Sequence, residues 1–134
     1  CVDYLGLLRW DGAASAPTYE RVSETVRALK GVARRERVAL YNAVQLNRNA
    51  ASGGTRPTLD MIRDSGAIEE ASDRVLALWA PARDPGLTPE RQRELRDVVK
   101  AALLKNRKGS LGDDAELRFT RGRRLIETTI VEAA

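Results

Sequence analysis

The chain has 134 residues, 43% of them hydrophobic and 31% charged, a size and balance that suit a single domain with one core. Its 23 Lys and Arg against 19 Asp and Glu give a net charge of +4 and a pI near 9.6, which permits an anionic partner without demonstrating one. With no histidine and one cysteine, Cys1, a His/Cys zinc site, a Ser-His-Asp or Cys-His catalytic unit and an internal disulfide are all excluded. No stretch approaches the ~18 consecutive apolar residues of a membrane span, and no basic-then-apolar leader precedes the first motif, so a cytoplasmic protein with no membrane partner is expected.

Residues 1–8 (CVDYLGLL) read as the end of a buried strand entering a turn, because apolar side chains flank Asp3 and Gly6 offers a break. The small, turn-rich residues Trp10 to Pro17 form a loop. From Thr18, the apolar positions Val22, Val26, Leu29 and Val32 recur at helical spacing, with Thr18 as candidate N-cap, Glu20 in the first turn and Arg34 and Arg35 near the end. Val38 to Leu46 (VALYNAVQL) is short and uncharged and reads as a buried strand, in which Asn42 must find partners or cost roughly 1 to 3 kcal/mol. Asn47 to Pro57 has the composition of a mobile loop and carries Arg48 and Arg56.

Thr58 to Ser72 suggests two short helices broken at Gly66, followed by an apolar strand, Arg74 to Ala80. Pro81, Pro85 and Gly86 force a loop. Thr88-Pro89-Glu90 is a cap, an N1 proline and an acidic first turn, opening a helix that runs to about Val98. A strand around Ala101 to Leu104 leads into the basic loop 105–112 (KNRKGSLG). Ala115 to Phe119 and Arg123 to Glu127 flank Thr120-Arg121-Gly122 as a hairpin. This order of elements is that of an α/β sandwich, parallel in its first part and antiparallel toward its C-terminal edge. Such sheets bind ligands at the carboxyl ends of strands, and Asp3, Gln45 and Lys105 all fall where a strand gives way to a loop.

An apolar strand delivering Asp3 has the form of a Walker B element, whose carboxylate helps to hold Mg²⁺ beside nucleotide phosphates. Gln45 ends an uncharged strand with an amide, as suits a group facing a ligand. Arg63 adjoins Ser65-Gly66, where a glycine permits close approach of a phosphate to backbone N–H groups. Lys105 and Arg107 alternate, so an extended segment points both to one side, as a two-pronged phosphate clamp needs.

Taken in order, the DYLGLL segment, Gln45-Leu46-Asn47-Arg48, Arg63-Asp64-Ser65-Gly66-Ala67-Ile68-Glu69 and Lys105-Asn106-Arg107-Lys108-Gly109 resemble the C-terminal half of the DnaB-type replicative DNA helicases, hexameric motors with a RecA-like ATPase domain. The resemblance covers nearly the whole chain. It implies a RecA-like mixed sheet flanked by helices, of which residues 1–134 are the C-terminal portion, starting at the Walker B strand. It also implies ATP and Mg²⁺ as cofactors, single-stranded DNA as partner and a homo-oligomeric, hexameric ring.

Residue by residue, Asp3 matches the Walker B aspartate, which makes it the candidate Mg²⁺ ligand, and Gln45 matches a γ-phosphate sensor. Arg63, Asp64 and Gly66, together with Arg48, match the DNA-facing surface. Lys105 and Arg107 match a lysine and an arginine that reach the neighbouring subunit's nucleotide. Asp64 stands where the family usually has glutamate, Met61 replaces an acid, and residues 81–97 carry an inserted charged helix, the marks of a divergent or phage-like member.

No G-x-x-x-x-G-K-[ST] occurs in the 134 residues; Gly53-Gly54 is followed by Thr55-Arg56 without a lysine. These residues by themselves are therefore expected not to hydrolyse ATP, either as a truncated helicase or as a remnant that keeps interaction surfaces. The leading expectation is part of an ATP-dependent helicase motor. A RadA-like recombination ATPase fragment and a non-catalytic DNA-binding or ring-assembly module are the alternatives.

Overall fold

The computed structural model describes residues 1–8, 17–47, 54–62, 65–119 and 125–131. They belong to two compact units, one formed by residues 1–46 and 62–72 and the other by residues 47–61 and 73–134.

The first unit is organised by helix α1, Thr18–Glu36, which packs against helix α2, Ser65–Ala71, and against a 3-10 turn at Leu5–Leu7. The apolar spacing of α1 turns Val26 inward, where it is buried in the same unit as Leu5, Ile62 and Ile68. Pro17 occupies the cap position in place of Thr18, which is already helical; Pro17 carries no side-chain acceptor, and its carbonyl instead accepts from the N–H groups of Glu20 and Arg21. The helix stops at Arg37, whose left-handed backbone (φ 54°) lets the N–H groups of Arg37 and Val38 both donate to the Ala33 carbonyl.

The second unit is a four-stranded antiparallel sheet in sequential order: β1, Arg74–Trp79; β2, Val98–Asn106; β3, Asp114–Phe119; β4, Leu125–Val131. In β1 the alternation expected of a strand with one buried face is observed: Val75 and Ala77 are buried while Arg74, Leu76 and Leu78 are exposed. In β2, Val98 and Ala102 share the face of the buried Ala77, to which Ala102 is paired, while the buried Ala101 lies on the opposite face, paired with Leu78. Between β1 and β2, a 3-10 turn at Pro81–Arg83 leads to helix α3, Pro89–Glu94. Thr88 caps α3 as its sequence demands, its hydroxyl accepting from the Arg91 N–H at 3.3 Å, while the helix yields at Leu95 to a turn that starts β2. Residues 95–98 therefore belong to a turn and a strand, and β2 is longer than the apolar run alone announces.

Three expectations are revised in the first unit. Gly66 lies inside α2 and breaks nothing. Among the described residues of 38–46 there is no continuous strand: a parallel bridge joins Val2 to Asn42 and an antiparallel one joins Leu46 to Ile62. Parallel pairing is thus confined, among the described residues, to that first bridge. Asn42 is exposed, so its amide is satisfied by water and carries no burial cost. Among the described residues no helix is long and apolar enough to cross a membrane.

Candidate nucleotide and DNA interface

In the first unit, residues 2–5 and 41–43 run side by side: the Val2 N–H donates to the Tyr41 carbonyl at 2.8 Å, the Ala43 N–H to Val2 at 2.9 Å and the Leu5 N–H to Ala43 at 2.9 Å. Asp3 follows directly on the bridged Val2, and Gln45 lies further along the partner segment, after Asn42 and Ala43. One pair of parallel segments therefore carries both residues, and both are exposed. Asp3 directly follows the bridged Val2 and Gln45 directly precedes the bridged Leu46.

Gly66 is also exposed, and a side chain at that position would meet nothing within 4 Å. Backbone there can be approached closely, although the reason is an open helix surface and not the loop that the sequence suggested. Arg48, Arg63, Asp64 and the Thr120-Arg121-Gly122 turn lie outside the described residues.

In the second unit, Lys105 and Asn106 are the last residues of β2, paired with Val75 and Arg74. Arg107 has already left the strand for a turn, so its direction is set by the turn; the alternation argument for Lys105 and Arg107 does not apply. The backbone N–H of Arg107 donates to the Asp73 carbonyl at 2.9 Å, and its guanidinium lies 3.4 Å from an Asp73 carboxylate oxygen. With both side chains more than half exposed, that ion pair is weak and exchangeable.

Arg56, which shares the 47–57 segment with Arg48, is engaged in the sheet unit. Its guanidinium makes a two-pronged contact with Asp114, Nε to Oδ2 at 2.8 Å and Nη2 to Oδ1 at 3.1 Å, and hydrogen bonding to that carboxylate raises the guanidinium above its ordinary pKa. Next to it Pro57 is fully buried, and Gly54, at φ 60°, lies against the backbone of Arg83 and Asp84 where a side chain would collide. Residues 54–57 are therefore a clamp, held against Arg83 and Asp84 at one end and against Asp114 of β3 at the other.

The family model for the DnaB-like helicase C-terminal domain matches residues 1–127. The chain belongs to this family. Among its DnaB-like relatives, a probable replicative DNA helicase of Trieres chinensis is 33% identical over 120 residues, covering 88% of this chain and 26% of the relative. The replicative DNA helicase DnaC of Bacillus subtilis is 31% identical over 112 residues, covering 83% and 24%. The fold agrees: a solved DnaB-like replicative helicase, studied with its interactions with primase, matches with a TM-score of 0.75 and 27% identity over 90% of this chain and 28% of that one. A second solved structure, an ATPase domain, gives a TM-score of 0.72 over 87% of this chain. The chain spans about a quarter of the length of the curated relatives it matches.

Within this DnaB-like frame, Asp3 suits the magnesium ion that the family implies, since Mg²⁺ takes one or two carboxylates and completes its shell with phosphate oxygens and water. Among the described residues no group of three or more His, Cys, Asp or Glu side chains gathers, so Asp3 would be a single carboxylate donor. Asn106 stands in its sequence motif without an assigned role and Asp73 lies outside the motifs; both meet the Arg107 turn. The spacing Asn106, Gly109, Ser110, an amide followed at once by a glycine-containing turn, was the signal available.

Proposed function

We propose that the chain is part of a ring-forming, ATP-dependent replicative DNA helicase motor, acting in the cytoplasm on single-stranded DNA. Arg107 serves as a cation delivered to the nucleotide of the neighbouring subunit. The observation that carries the reading is the Arg107 turn, which hangs an exposed guanidinium off the end of a hydrogen-bonded strand, in a chain matched to the DnaB-like family over residues 1–127. A guanidinium so placed stabilises charge developing on transferring phosphoryl oxygens, and its planar fork does so in a way lysine does not reproduce. Bound Mg²⁺ supplies charge neutralisation between the phosphates.

The roles of the other residues follow. Asp3 offers a carboxylate to the metal, and Gln45, on the neighbouring parallel segment, offers an uncharged amide that donates to a γ-phosphate oxygen. Lys105 adds a second positive charge beside Arg107. Arg48, Arg63, Asp64 and Gly66 form the DNA-facing set, where binding rests on phosphate contacts and weakens with salt. Aromatic residues are 4% of the chain, so base stacking contributes little.

The test is made in the complete helicase. Arg107→Ala abolishes DNA-stimulated ATP hydrolysis, a loss of about 10³-fold or more, with nucleotide affinity retained in each subunit. Mixing these subunits with others that have an intact Arg107 and an inactive P-loop restores part of the turnover, because each supplies what the other lacks at a shared interface. Mixed rings that form and stay inactive would remove the role in trans.

A further inference from the structure

Asn106 is the last residue of β2, and the chain reverses immediately after it. Its carboxamide spans that reversal with both ends. The Nδ2 group donates to the Ser110 carbonyl at 2.8 Å, while Oδ1 accepts from the Lys108 N–H and from the Arg74 guanidinium, each at 3.4 Å. One side chain thus ties the strand end to the middle and to the far side of the turn and to the facing residue of β1. A carboxamide does this because it carries a donor and an acceptor on one short planar group. Aspartate at this reach keeps the acceptor and loses the donor; leucine has the shape and neither function.

Two neighbouring features are adjusted to the same amide. Gly109 has no side chain where a Cβ would stand 3.0 Å from Asn106 Nδ2, close enough that the amide would have to shift by a few tenths of an ångström against its bond to Ser110. The Arg107 N–H continues the ladder one residue past β2 by donating to the Asp73 carbonyl at 2.9 Å. Arg107 is therefore bracketed: its own amide is held on one side, and the residues before and after it are held by Asn106. The outcome is an exposed guanidinium on a backbone that has little freedom to wander.

We infer that Asn106 is a positioning residue for Arg107, acting with Gly109 to preorganise the turn from which the guanidinium reaches the neighbouring subunit's nucleotide. The inference rests on the reading of Arg107 given above and extends it to a residue that touches neither nucleotide nor DNA. A guanidinium whose backbone is fixed beforehand meets the developing charge without reorganising at the moment of reaction, and a displacement of about 1 Å is enough to cost up to about 10²-fold in rate. Because Asn106 acts on orientation, it bears on kcat and leaves the KM for ATP in place.

The experiment compares Asn106→Ala, Gly109→Ala, the double variant and Arg107→Ala in the complete helicase, measuring DNA-stimulated ATPase and ring assembly. Asn106→Ala is expected to lower kcat by about ten- to a hundredfold with KM changed less than about twofold. Gly109→Ala lowers it less, and the double variant matches Asn106→Ala alone, since the two act through one hydrogen bond. Asn106→Ala subunits mixed with P-loop-inactive subunits recover turnover as Arg107→Ala subunits do, a rescue that a general folding defect would not give. If Asn106→Ala does not assemble, Asn106→Asp keeps the Lys108 contact, loses the Ser110 one and is expected to show an intermediate loss of kcat. Additive losses, or normal kcat in Asn106→Ala and Asn106→Asp beside an inactive Arg107→Ala, would overturn the positioning role and leave the Arg107 reading intact. Normal turnover in Arg107→Ala would overturn both.

Discussion

The two units hold their candidate functional residues in different ways. In the sheet unit, β2 pairs with β3 over Val98–Ala101 and with β1 over Lys100–Asn106, and the turn carrying Arg107 begins where the β1–β2 ladder ends. Its geometry is inherited from strands already locked in register. In the unit around α1, Asp3 and Gln45 sit on short segments secured by a few backbone hydrogen bonds and isolated bridges, and among the described residues the buried side chains are Leu5, Val26, Ile62 and Ile68. The Arg107 turn therefore has the firmer backbone support, whereas the segments that carry Asp3 and Gln45 are held by fewer backbone bonds.

The contrast can be broken by three substitutions, read out as local opening free energies from hydrogen exchange of the strand and bridge amides in the complete protein. The largest effect is expected at Gly54. Gly54→Ala forces a side chain into a left-handed backbone and against the backbone of Arg83 and Asp84, at a cost of about 3 kcal/mol or more. Protection should fall across the β1–β3 amides, and unchanged exchange there would show that the clamp is not part of the sheet unit's stability. Arg56→Ala removes the two-pronged contact with Asp114; the side chains are 47% and 31% exposed, so the expected loss is about 1 kcal/mol, felt at the start of β3. The smallest effect is expected at Asn42→Ala in the other unit, within about 0.5 kcal/mol, because its amide is solvated. A cost near the burial penalty would mean that residues 38–46 form a buried strand after all, and would erase the contrast.

Much of the sheet unit was legible from sequence because its signals are local. The apolar run RVLALW, the Thr88-Pro89 cap and the hairpin composition each specify an element within a few residues, and β1, α3 and β3 follow them. The periodicity of α1 was equally plain. VALYNAVQL was different: an uncharged run announces an appetite for burial, yet pairing depends on segments distant in the chain, and here only two residues are bridged. Gly66 was taken for a break because glycine is a poor helix former, but a single glycine costs a helix only about 1 kcal/mol and α2 tolerates it. At the candidate site, charge points to Lys105, Arg107 and Arg56, while the carboxylates that Arg107 and Arg56 meet, Asp73 and Asp114, lie too far along the chain for a motif to reveal.

The outer edge of β1 has a consequence for handling the protein. Among the described residues this strand has a neighbour on one side only, and its exposed positions include Leu76 at 63% and Leu78 at 55%, with Arg74 the sole charge along its length. Proteins usually blunt such an edge with lysine, proline or a covering segment. In concentrated solution the row of open amides and carbonyls is a template onto which another extended chain can add, with leucines on alternate positions to seal the junction. The 134 residues handled alone are thus prone to colloidal self-association through this strand, and a lysine in place of Leu78 would set a charge in the middle of the template.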